Sequence, residues 1–303
     1  IIFSFKFFLK NELILEKVLL IWTIVLCIVS ADVIFEFTVG HNIFGFVSPM
    51  KNERVVSFFK DELIVGSYIF GFFFPVVGYY LYKKKQYYAF LLGILFTVAI
   101  LLSGERSSFF KLLLSMILFI LFVLKQKKNK FILLLIFITL ISGMFFNDKV
   151  KFRYFDTINR SISLDFDNLY NSALNTKYIN QSLLTYEIFK ENKLFGVGNK
   201  NYFNSCSKLD ENLALNCYTH PHQFYYEFLS EHGLIGSLII IIMIYLLLFK
   251  KNDISGANKN ILFIFKIYCI ISFVPLIPTG SFFSSYNLAL FWINFSFFQV
   301  FRL

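Results

Sequence analysis

The chain has 303 residues, 57% of them hydrophobic and 16% charged, with 43 Phe and a formal net charge of +10. One water-soluble core cannot bury that much apolar surface, so an ordinary soluble domain is excluded and the lipid bilayer becomes the main solvent. The positive charge sits largely as Lys in short loops between apolar runs, which reads as membrane topology and implies no nucleic-acid partner.

The opening IIFSFKFFLK resembles the tail of an earlier apolar helix and no signal peptide is evident, so further helices are expected ahead of Ile1. Apolar segments then fall at 17–38, 63–82, 87–103, 107–124, 131–147, 233–249, 260–277 and 282–301. A helix needs roughly 20 residues to cross the hydrocarbon layer, so the pattern predicts an all-α, polytopic membrane helix bundle with about eight transmembrane helices. Lys83 to Lys85 follow the second segment, Lys125, Lys127, Lys128 and Lys130 the fourth, and Lys250 and Lys251 the sixth. The positive-inside rule puts these loops in the cytoplasm. Connector 39–62, the turn Gly104 to Arg106, the stretch 148–232 and the turn Pro278 to Ser281 then face outward.

The chain accordingly divides into N-terminal helices (1–147), a large extracytoplasmic, partly helical insert (148–232) and C-terminal helices (233–303). The insert is rich in Asn, Asp, Tyr and Ser. Leu184, Ile188 and Phe189 recur at helical spacing between Gln181 and Asn192, Phe195 to Gly198 reads as a turn, and Pro221 to Glu231 predicts a second helix capped by Gly233.

Cys27 and Cys269 lie in apolar segments and read as packing. Cys206 and Cys217 share the insert, where an oxidising compartment favours a disulfide. A tetrahedral metal site with His220 and His222 is the competing idea, but the spacing fits no zinc pattern and no metal is expected. Pro221 stiffens the backbone between His220 and His222, so the pair reads either as a held base or as solvated residues of a capping loop. His232 reads as a helix-end cation. Only five Arg occur, and Arg106 sits in a turn too short to leave the bilayer surface. Its guanidinium can fork onto phosphate oxygens or pair with Glu105. Asp32, Glu36, Asp61 and Glu62 read as substrate contacts or as solvated interfacial residues.

Three stretches together, L-S-G-E-R-S-S-F (102–109), K-L-F-G-V-G-N-K-N-Y-F (193–203) and T-H-P-H-Q-F-Y-Y-E-F-L-S-E-H-G-L-I-G (219–236), resemble bacterial O-antigen ligase and polymerase-like membrane proteins. G-H-N-I-F-G-F (40–46), F-F-K-D-E-L-I-V-G-S-Y (58–68) and P-L-I-P-T-G-S-F-F (275–283) add support in the same order. The resemblance implies a metal-independent, cofactor-free glycosyltransferase of the bacterial inner membrane, with its active site facing the periplasm. Its donor would be an undecaprenyl-diphosphate-linked glycan and its acceptor lipid A core or another glycan, as in lipopolysaccharide biosynthesis. His222 takes the position of the family's catalytic His, and Arg106 that of an Arg steadying the diphosphate. Gln223 stands where the family has Asn. A second family Arg has no match in the helix before the G-V-G turn; Arg153 or Arg160 stands in for it, with Arg153, His220, Glu105 and Gln223 expected at the substrate. A carboxylate base, Glu105 or Glu227, is the alternative to His222. Polymerisation of repeat units, transport of a lipid-linked glycan and an inactive assembly partner are the competing functions.

Overall fold

The computed structural model describes residues 11–50, 53–124, 127–156, 177–213, 217–249, 259–275 and 277–301. The described residues form helices and no strand: α1 (Glu12–Val39), α2 (Val65–Tyr82), α3 (Gln86–Leu102), α4 (Arg106–Phe122), α5 (Lys127–Phe146), α6 (Asp148–Lys151), α7 (Lys177–Glu191), α8 (Tyr202–Leu213), α9 (Phe224–Phe249), α10 (Lys259–Ser272) and α11 (Ser285–Val300). The all-α expectation is met, and each of the eight apolar segments coincides with a helix. Among the described residues three helices, α1, α2 and α9, are long and apolar enough to cross a membrane by length and composition. The count of about eight spans remains a sequence expectation.

The chain forms two compact units, one of residues 1–157, 253–272 and 290–303, the other of residues 158–252 and 273–289. In the first unit α2 packs on α1, α3, α4 and α10. Of the most apolar stretch of α2, 67% is buried within the protein, against 22% for α9, so α2 is a central helix and α9 leaves Ile239, Ile242 and Leu246 exposed. Such exposure suits a helix in an apolar solvent.

The ends of the helices show why they start and stop where they do. Asn11 caps α1, its Oδ1 accepting from the Leu13 and Ile14 amides at 3.1 and 3.4 Å, and Gly40 closes the helix in the left-handed region. Asp32 and Glu36, on the last turns of α1, are not solvated: they are 5% and 3% exposed. Asp32 accepts from the Ile43 amide at 2.8 Å and from the Ser57 hydroxyl, and Glu36 from the Ser57 and Val56 amides at 2.6 and 3.2 Å. The two carboxylates clamp the following loop onto α1, because buried amides must find acceptors. Asp61 and Glu62 are exposed.

In the second unit α7 packs on α8 and α9. Leu184, Ile188, Tyr202 and Cys206 make a small core, with Val197, Leu209 and Cys217 against it. The turn 193–198 runs across a break in α9 at Gly233, whose φ/ψ of 61/−167° is not helical. Leu234 N donates to Lys193 O at 2.8 Å, Val197 N to Ser230 O at 2.9 Å and Gly198 N to Glu231 O at 2.8 Å. A Cβ on Gly233 would lie 2.4 Å from Leu194 C, and one on Gly196 2.4 Å from Glu231 C, so both glycines are required by backbone touching backbone. His232 does not behave as a solvated helix-end cation. Its half-buried ring packs edge-on to Phe283 at 5.0 Å, and its Nε2 is buried without a hydrogen-bond partner among the described residues.

Candidate functional site

The chemistry-bearing residues fall into two clusters, one in each unit. In the first unit the turn Ser103-Gly104-Glu105 joins α3 to α4. Gly104 has φ +71°, and a Cβ there would come within 2.2 Å of Glu53 O, so the loop after α1 lies directly on this turn. Val55 N donates to Ser103 O at 3.1 Å and secures the same contact.

Glu105 is 7% exposed and fully engaged. It accepts from the Gly66 and Ser67 amides in the first turn of α2 at 2.9 and 3.0 Å, and from Ser108 Oγ at 2.9 Å. A carboxylate at a helix N-terminus meets both unpaired amides and the positive end of the dipole. Burial raises its pKa above the ordinary carboxylate value, opposed by the nearby Arg54 charge and by these hydrogen bonds. The ion pair of Glu105 with Arg106 does not form. Arg54 takes that place, its Nη2 3.6 Å from Glu105 Oε1, while also donating to Leu63 O.

Arg153 is presented by a π-helical turn, Phe152–Asp156, that follows α6. Its Nε donates to Gly104 O at 2.9 Å and its Nη1 meets Glu53 Oε2 at 2.8 Å. The next residue, Tyr154, donates its hydroxyl to Leu101 O at 3.0 Å and sets its ring edge-on to Phe109 at 5.2 Å. Burial lowers the pKa of Arg153, and the charges of Arg106 and Arg54 add to the effect. Arg106 and Arg54 are thus each close enough to Arg153 to repel its charge. Arg106, the first residue of α4, is half-buried and makes no hydrogen bond or ion pair among the described residues. A cavity in this unit is lined by Glu36, Glu53, Arg54, Gly104, Lys149 and Arg153, among others. Arg160 and Arg302 lie outside the described residues.

In the second unit Cys206 and Cys217 are bonded, with Cα atoms 5.8 Å apart, which leaves neither sulfur free as a metal ligand. The chain then passes through His220 and His222, whose ring centroids are 4.2 Å apart, with Tyr218 edge-on to His222 at 6.0 Å. Thr219 Oγ1 is 3.0 Å from His220 Nδ1. His222 has φ +52°, an uncommon conformation for a residue with a Cβ, held by the Thr279 amide donating to His222 O at 2.8 Å. Gln223 caps α9: its Oε1 accepts from Tyr226 N at 3.0 Å. Glu227, the alternative carboxylate base, is 2% exposed and accepts from Ser281 Oγ and from Phe282 N at 2.7 Å. Glu231 accepts from the Lys200 and Tyr202 amides at 2.8 and 3.3 Å, at the start of α8. Both glutamates serve as acceptors for loop backbone.

The O-antigen ligase family profile matches residues 90–241, half of the chain, taking in Glu105, Arg106, Arg153, the disulfide, His220, His222 and Gln223. The chain belongs to the O-antigen ligase family. These are membrane proteins of glycosyltransferase type, and the apolar helices above agree with that setting. No curated protein matches the chain. Residues of the first unit that the sequence reading passed over, Glu53 and Arg54, precede the part matched by the O-antigen ligase family. Their signal was available in the scarcity of Arg and in the outward assignment of the 39–62 connector, the same side as the Gly104 turn.

Proposed function

We propose that the protein transfers a glycan from undecaprenyl diphosphate to lipid A core or another glycan acceptor, at the outward face of the bacterial inner membrane. The observation that carries this reading is the gathering of Arg54, Arg106 and Arg153 in a member of the O-antigen ligase family, with Arg106 left uncommitted by any protein acceptor among the described residues. Arg54 and Arg153 each meet a carboxylate, Glu105 and Glu53, whereas Arg106 has none among the described residues, and a diphosphate supplies oxygens onto which its guanidinium can fork.

The chemistry follows from those side chains. His222 accepts the proton of an acceptor hydroxyl, whose oxygen attacks the anomeric carbon of the donor sugar. The bond from that carbon to the diphosphate oxygen breaks, and the electron pair leaves on the diphosphate. Arg106, Arg153 and Arg54 balance the charge that develops there, the part that a metal ion plays in other transferases. A single displacement inverts the anomeric configuration. His220 and the free amide nitrogen of Gln223 are placed beside His222 in sequence and serve the acceptor.

Complementation of a strain lacking the gene tests the reading. His222→Ala and Arg106→Ala, each at normal protein level, should abolish surface glycan attachment. Unchanged attachment and chain length would overturn it. Loss of every attached chain marks ligation, whereas attachment of single repeat units marks polymerisation by the same chemistry.

A further inference from the structure

Arg153 is the most thoroughly tethered of the three guanidiniums. Nε is committed to Gly104 O at 2.9 Å and Nη1 to Glu53 Oε2 at 2.8 Å, while Nη2 has no protein acceptor among the described residues. A buried guanidinium facing Arg106 and Arg54 is pushed away from them, and a long flexible side chain can relieve that repulsion by swinging toward water. Glu53 opposes that escape. Its carboxylate offsets the repulsion and fixes the plane of the fork, so the remaining NH2 has one direction.

Glu53 can do this because its own backbone is fixed. Its carbonyl oxygen abuts Gly104, its amide donates to Met50 O at 3.0 Å, and Val55 N, two residues on, holds Ser103 O at 3.1 Å. The Glu53 side chain is 31% exposed and lines the cavity, so it is no part of a sealed core. Glu105 differs, being consumed by the α2 amides.

We infer that Glu53 is a positioning residue, which aims the Arg153 guanidinium at an anionic diphosphate without itself touching the reacting atoms. The inference rests on the reading of the arginine cluster as the diphosphate-binding group. It requires the hydrogen-bond acceptor of Glu53 more than its charge, since a ligand dianion is repelled by a carboxylate.

The test uses the full chain in lipid nanodiscs, with undecaprenyl diphosphate as the probe and its Kd as the readout, alongside the thermal unfolding midpoint. Glu53→Ala should weaken binding about tenfold with an unchanged midpoint, and Glu53→Gln, which keeps an oxygen opposite Nη1, should stay within about threefold of the wild type. In an Arg153→Ala background Glu53→Ala should cost nothing further, because the residue acts through Arg153. Tighter binding by Glu53→Ala would overturn the inference and mark the carboxylate as a competitor of the ligand. Equal losses with and without Arg153, or a Gln variant as weak as Ala, would overturn it as well. If Arg153→Ala and Arg106→Ala both bind like the wild type, the diphosphate reading itself fails, and Glu53 falls with it.

Discussion

The two units solve the same problem with one device and then diverge. Each uses buried carboxylates to collect loop amides: Asp32, Glu36 and Glu105 in the first, Glu227 and Glu231 in the second. In the first unit Glu105 also meets a guanidinium, and Glu53 is given over to another. In the second no Arg occurs among the described residues, and the imidazoles of His220 and His222 lie with ring centroids 4.2 Å apart. The difference follows from charge. Arg54 and Arg153 are each placed by a carboxylate and a backbone carbonyl, whereas an imidazole is tolerated neutral and needs no counter-charge. On the function proposed above, one unit would hold an anion and the other would move a proton.

Mutations can break that division of labour, starting with the largest effect. His222→Ala should lower transfer by about 10²- to 10⁴-fold, the usual worth of a positioned general base, while leaving undecaprenyl diphosphate binding intact. Steady-state transfer assays and binding measurements on the same preparation check it, and a parallel loss of binding would erase the contrast between the units. Gly233→Ala forces a Cβ to 2.4 Å from Leu194 C at φ +61°, so accumulation of folded protein should collapse, a loss of several kcal/mol read by detergent-solubilised yield and thermal melting.

Smaller effects sharpen the comparison. Cys206→Ser with Cys217→Ser opens a loop of sequence separation 11 and should cost about 3 kcal/mol, seen as a lower unfolding midpoint that reductant reproduces in the wild type. Arg153→Lys keeps the charge but not the fork, and should weaken diphosphate binding about as much as Ala does. Gln223→Ala removes an α9 cap and should cost about 1 kcal/mol of stability, with Gln223→Asn restoring most of it.

Much of this protein was legible in the sequence because its signals are local. Apolar runs longer than any soluble strand or loop announce helices in a bilayer, and all eight such runs are helical. Gly196, Gly198 and Gly233 marked the turn and the end of a helix by their conformational freedom, and the family was evident in ordered motifs that the profile match bears out. The partners were not legible. Nothing local tells that Glu105 is spent on amides 39 residues earlier in the chain, or that Arg153 finds Glu53 at a separation of 100 residues. The neighbouring Glu105 and Arg106 looked like a natural pair and are not one, because the turn between α3 and α4 points the carboxylate at the start of α2. Composition and periodicity determine which segments enter the bilayer, since that depends on each segment's own transfer free energy. Which charges meet is decided only by the packing of helix ends, where a buried ion accepts whichever distant donor the fold delivers.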